Sequence, residues 1–178
     1  ETTMLVNLTD VFSSEEKIVN IEYTLDIDEF VYCGDKYSII SKEPILLTFS
    51  NISVGKALVE GCGKVVFEMK CDRCLKEVPF EMDLQFSYEV FSPEKVEENM
   101  EDDDEQNFME GYELNVENLV NNEILMSWPM KVLCKPQCKG ICTVCGKDLN
   151  TGECGCDTFV PDPRWAALKD IFNANKEV

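Results

Sequence analysis

The sequence predicts an α+β chain, mainly antiparallel β-sheet packed against one or two helices and followed by a C-terminal cysteine-rich region. Three observations predict it. Phe80, Met82, Leu84, Phe86, Tyr88 and Val90 alternate with Glu81, Asp83, Gln85, Ser87 and Glu89, an eleven-residue period of two that a helix cannot present. Val116, Val120 and Ile124 recur at i, i+4, the spacing of one helical face. Six cysteines fall between positions 134 and 156.

The elements follow in order. Ile21, Tyr23, Leu25 and Ile27 alternate with Glu22, Thr24 and Asp26, giving a strand with one wet and one dry face. Glu29 to Ser41 holds a turn at Gly34-Asp35. Ile45, Leu47 and Phe49 make the next strand, with Pro44 at its start, where a missing N–H is harmless. Asn51 to Gly55 turns the chain. Ala57 and Val59, then Val65, Phe67 and Met69, read as a hairpin around Gly61-Cys62-Gly63. Cys71 and Cys74 then sit in the connection to the strand Phe80 to Val90. Glu94 to Glu105 carries eight acids against the single Lys95, a self-repelling loop. Asn115 caps the helix of Val116, Leu119, Val120 and Ile124; Trp128 continues its row and Pro129 stops it. Asp162 and Pro163 begin a last helix with Trp165, Leu168, Ile171 and Phe172 on one stripe, which packs within the chain or docks on a partner. Residues 4–128 therefore form the sheet-and-helix core with an acidic loop at 92–110. Residues 129–160 form the cysteine-rich module, and residues 161–176 a C-terminal helix.

The cysteines carry the chemistry. Cys142-x2-Cys145-Gly146 has the spacing of a zinc knuckle, two sulfurs facing one ion with a glycine free to take positive φ beneath them. Cys154-Gly155-Cys156 supplies the opposing pair, so Cys142, Cys145, Cys154 and Cys156 are assigned to one zinc ion. Cys71-x2-Cys74 needs two more sulfurs, and stoichiometry leaves Cys134 and Cys138 to complete a second four-cysteine site. Lys131, Lys135, Lys139 and Lys147 stand between Pro129 and Lys147 without a single acid, and ammonium groups favour thiolates. Three chemistries compete with zinc: disulfides, a redox-active Cys71–Cys74 pair, and an iron–sulfur cluster. Cys33 and Cys62, in strand-like surroundings, read as small core residues or free thiols.

Composition sets the bounds. The chain has 178 residues, 44 % of them apolar, enough for one core and an appended module. Glu1-Thr2-Thr3 reads as a remnant of expression ahead of a native Met4, and Leu5-Val6-Asn7-Leu8 has no basic leader, so the expected address is cytoplasmic, with no membrane segment. A formal charge of −19 disfavours autonomous binding of nucleic acid and favours a basic partner. With no histidine, no phosphate-cradling glycine loop and no nucleophile elbow, the chain reads as not an enzyme, and no small-molecule substrate is expected.

Cys71-Asp72-Arg73-Cys74-Leu75, Gly111-Tyr112-Glu113-Leu114-Asn115-Val116, Leu133-Cys134, Gly140-Ile141-Cys142-Thr143-Val144-Cys145-Gly146, Leu149-Asn150, Glu153-Cys154-Gly155-Cys156-Asp157 and Asp162-Pro163-Arg164 together resemble the bacterial YceD family, in its cysteine-rich Gram-positive form. The resemblance implies a role in accumulation of 23S ribosomal RNA, hence in large-subunit biogenesis. The family's gene often neighbours that of a small, basic large-subunit ribosomal protein, and some relatives lack the last cysteine knuckle. The expected function is a non-catalytic factor binding large-subunit rRNA, a basic ribosomal protein, or both. Lys70, Arg73, Lys76, Lys135 and Lys139 are the candidate contacts to RNA. The alternatives are a zinc- or redox-responsive cysteine protein and a structural zinc adaptor unrelated to ribosomes.

Overall fold

The computed structural model describes residues 4–96 and 108–156. The chain divides into two compact units, Glu1–Met69 with Glu77–Val132, and Lys70–Lys76 with the residues from Leu133 onward. The connection carrying Cys71 and Cys74 thus groups with the later cysteines, not with the strands on either side of it.

The first unit is mostly antiparallel sheet. Its elements are β1 (Leu5–Asn7), α1 (Thr9–Ser13), β2 (Ile18–Tyr23), β3 (Glu29–Tyr32), β4 (Asp35–Lys42), β5 (Ile45–Ser53), β6 (Lys56–Lys70), β7 (Glu77–Phe91), α2 (Pro93–Val96), β8 (Met109–Glu110), β9 (Glu113–Asn115) and α3 (Val116–Met126). The larger sheet runs β2-β5-β6-β4-β3, with β7 also on β6; the smaller runs β1-β9-β8. Registers Val65 opposite Lys42 and Cys62 opposite Leu46 lay β4 and β5 end to end along β6. Pro44 stands at their junction.

Alternation places Ile45, Leu47 and Phe49 in the core, together with Val59, Val65 and Phe67 from β6 and Met82, Leu84 and Phe86 from β7. Burying each such side chain stabilises the unit by about 1.5–3 kcal/mol. Helix α3 begins as its cap predicts, the Asn115 side chain accepting from the Asn118 N–H at 3.0 Å. Its row Val116, Val120 and Ile124, with Leu119, is fully buried. Beyond its end, the Trp128 ring stacks on Phe30 and Tyr32 and meets Tyr37 and Phe67 edge-on.

Several expectations change. The strand read from Ile21 to Ile27 is instead Ile18–Tyr23, and the turn read over Asn51 to Gly55 narrows to Val54-Gly55 because β5 runs on to Ser53. No hairpin forms at Gly61-Cys62-Gly63; β6 is one strand of 15 residues. The glycines serve close approach: a Cβ on Gly61 would lie 2.1 Å from Phe86 Cζ, and one on Gly63 2.8 Å from Ile45 Cγ1. The β3–β4 turn is Cys33-Gly34, one residue earlier than predicted, with Tyr32 opposite Asp35. Both turn residues have positive φ, 51° and 91°, the two-residue turn that suits the twist of paired strands. Cys33 and Cys62 are exposed, so neither is a core residue.

The acidic run from 97 to 105 and the predicted helix at 161–176 lie outside the described residues; Pro93–Val96 of the predicted loop is a short helix. Among the described residues no helix is long and apolar enough to cross a membrane.

Candidate metal centres

The second unit is built from two knuckles with the same backbone. In the first, the Cys71 N–H donates to Lys76 O at 2.8 Å and the Leu75 N–H to Cys71 O at 2.8 Å. In the second, the Cys142 N–H donates to Lys147 O at 2.8 Å and the Gly146 N–H to Cys142 O at 2.9 Å. The residue after the second cysteine holds positive φ in each, 60° at Leu75 and 72° at Gly146. This closed turn aims both sulfurs of a pair at one point.

Each knuckle meets the pair that spacing and stoichiometry had proposed for it. Cys71, Cys74, Cys134 and Cys138 form one group and Cys142, Cys145, Cys154 and Cys156 the other, the sulfurs of each lying within 4.8 Å of one another. In the first group Cys71 Sγ lies 3.8 Å from Cys138 Sγ, and Cys74 Sγ 3.6 Å from Cys134 Sγ. Four sulfurs about 2.3 Å from a tetrahedral ion would lie about 3.8 Å apart. The donor set therefore fits one ion per group. All ten cysteines are free thiols, and those contacts are far beyond the roughly 2.05 Å of a disulfide. Burial differs: Cys71, Cys74 and Cys138 are buried, whereas Cys145 is exposed and Cys154 and Cys156 half-buried.

The backbone prepares one thiolate in each group. Burial pushes Cys71 up, but N–H donors of Cys134, Arg73 and Cys74 outweigh it and bring the thiol down to about 6. Cys142 is lowered to about 6 by the N–H groups of Cys145 and Val144, the latter 3.4 Å from its sulfur. Like charges then resist further ionisation. Cys134 is pushed up to about 12 by burial and by the neighbouring sulfurs of Cys74 and Cys138. Cys156 rises to about 12 through the sulfurs of Cys145 and Cys154. The Asn150 amide, donating to Cys138 Sγ at 3.3 Å, lowers Cys138.

The predicted contact cations divide. Lys70, Lys135 and Lys139 are exposed, and their side chains make no ion pair among the described residues. Arg73 instead donates through Nη1 to Cys138 O at 2.7 Å, and its own carbonyl accepts from the Ile141 N–H at 3.1 Å. Lys76 Nζ pairs with Asp148 Oδ2 at 2.6 Å. That hydrogen bond raises the lysine and, with the N–H of Asn150, lowers Asp148 to about 2. Asp148 has no part in the sequence reading, and Asn150 only a place in the family resemblance. Their spacing fits an Asx turn, confirmed by the Asn150 N–H donating to Asp148 Oδ1 at 2.8 Å, but local spacing gives no hint of their distant partners.

No solved structure matches the chain. Uncharacterized proteins of Mycobacterium tuberculosis and Mycobacterium bovis are 24 % identical over 131 residues, covering 74 % of this chain and 62 % of their own length. The chain thus aligns with under two thirds of those relatives' length. The family model described as "Large ribosomal RNA subunit accumulation protein YceD" matches residues 59–172, from within β6 through all eight grouped cysteines. That stretch is more than half of the chain, which therefore belongs to the YceD family of large ribosomal RNA subunit accumulation proteins.

Proposed function

We propose that the chain is a non-catalytic, cytoplasmic factor in large-subunit biogenesis that supports accumulation of 23S rRNA. Two structural zinc ions shape its cysteine unit, and its acidic surface receives a basic ribosomal protein. Membership of the YceD family carries the reading of the process. The thiol groups support the zinc: soft thiolates in a tetrahedral set suit that ion, and sulfurs within 4.8 Å of one another leave room for one ion instead of a multi-iron cluster. Four thiolates also fill the coordination sphere, leaving no position for substrate or activated water.

Charge favours protein over RNA as the direct partner. Residues 70–76 and 133–156 hold six Lys or Arg against three Asp or Glu. Two zinc ions, each with four thiolates, would add a formal −2 apiece and cancel that excess. Arg73 and Lys76 are already engaged within the unit. Lys70, Lys135 and Lys139 are left as the basis of the competing mode, direct contact with rRNA.

The test is binding by the metal-loaded chain to purified basic large-subunit proteins and, separately, to 23S fragments at two salt concentrations. Specific retention of a basic protein, with no RNA binding near physiological salt, is expected. Binding of RNA there, with no ribosomal protein retained, would overturn the choice of partner. Unchanged 23S rRNA and large-subunit particles after depletion would overturn the role.

A further inference from the structure

The loop from Gly146 to Glu153 joins Cys145 to Cys154, two sulfurs of the second group, yet its residues serve the first. Asn150 Nδ2 donates to Cys138 Sγ at 3.3 Å, and Asn150 Oδ1 accepts from the Lys139 N–H at 3.0 Å. The Leu149 N–H donates to Gly140 O at 2.9 Å. Asp148 Oδ2 takes Lys76 Nζ at 2.6 Å, two residues beyond Cys74, while Asp148 Oδ1 holds the Asn150 amide at 2.8 Å. Asp148 also bridges to Ile141, next to Cys142. The side chains that orient the Cys138 sulfur and brace the first knuckle are thus presented by a loop whose ends are held by the second group.

We infer that the two sites load cooperatively: an ion in the second site closes the 146–153 loop, and Asn150 and Asp148, as positioning residues, transmit that closure to Cys138 and Lys76 of the first. This rests on the two-zinc reading. No residue of the loop belongs to the apolar core among the described residues, so packing does not order it. An ion bridging Cys145 and Cys154 removes its closure entropy. The ordered loop then offers the first site a donor to a ligand sulfur, the kind of outer partner whose loss costs about 10–100-fold in metal affinity. Linkage makes the effect mutual, so filling the first site strengthens the second by the same factor.

The test is anaerobic titration of the reduced full chain with cobalt(II), read by thiolate–cobalt absorption, followed by zinc competition against a chelator. The wild type is expected to take two ions in one steep step. Cys154→Ser with Cys156→Ser leaves one site, weakened about 10–100-fold. Asn150→Ala keeps all eight thiols and is expected to split the single step into two. Adding it to the double serine variant changes little more, since the open loop no longer presents Asn150 to Cys138. A first site of wild-type affinity in the serine variant, or one steep step in Asn150→Ala, overturns the inference. A wild-type chain that binds fewer than two ions overturns the zinc reading itself.

Discussion

Leu75 and Gly146 occupy the same place in two knuckles of the same backbone, and only one is a glycine. At φ 60° an L-residue carries a steric cost of about 1–2 kcal/mol that glycine avoids. Leu75 is 59 % exposed, so its side chain packs little in return. Leu75→Gly is therefore expected to raise the stability of the metal-loaded chain by up to about 1 kcal/mol, after the extra freedom that glycine gives the unfolded chain. Denaturant unfolding measures it, and a loss of stability contradicts the strain. The thiols make a second prediction. At pH 7, Cys71 and Cys142, near 6, are already ionised, whereas Cys134 and Cys156, near 12, keep their protons. A bound ion holds all of them as thiolates, so metal entry must expel protons and affinity must fall as pH falls. The fall steepens below 6, where Cys71 and Cys142 protonate as well. An indicator dye in weak buffer should record at least two protons per chain on zinc addition at pH 7; none released contradicts the assignment.

Among the elements, β6 best shows how much a sequence discloses. Its alternation was plain, but the break was misplaced, because glycine signals a turn and a close approach with the same letter. What decides the matter is Phe86, 25 residues away, whose ring occupies the space a Gly61 side chain would need. Gly61→Ala should cost about 1–3 kcal/mol by overpacking, and Phe86→Leu in the same chain should recover part of it, both read by denaturant unfolding. Full tolerance of the alanine would mean that the glycine is there for another reason. Strand β7, the α3 cap and the α3 core row were legible because period and cap chemistry are local. So were both thiol groupings, since CxxC spacing and a count of four constrain each other. The three-residue strands β1 and β9 were not, because so short a segment carries no period. Nor was the engagement of Arg73 and Lys76, since both acquire partners more than 60 residues away. At α3, Asn115→Ala should cost about 1 kcal/mol through the lost cap, measured the same way.

The whole molecule combines two ways of holding a chain together. The sheet unit has a continuous apolar core, whereas none of that core comes from Lys70–Lys76 or from 133–156. Apart from Gly140, which is also buried, the buried residues of those segments are cysteines. On the two-zinc proposal, a unit with no apolar core would take its folding free energy from the ions it binds. Chelation under reducing conditions is therefore expected to abolish amide-exchange protection in 70–76 and 133–156 while the strands of the first unit keep theirs. Equal loss in both units would contradict independent cores. The same division suits the proposed role, with the zinc unit supplying a rigid shape and the acidic remainder supplying attraction to a basic partner. The most direct test is native mass spectrometry of chain purified anaerobically without added metal. Two zinc ions per chain, lost only with unfolding of the cysteine unit, is the predicted result. A metal-free mass from protein whose cysteine unit remains fully protected from exchange would contradict it.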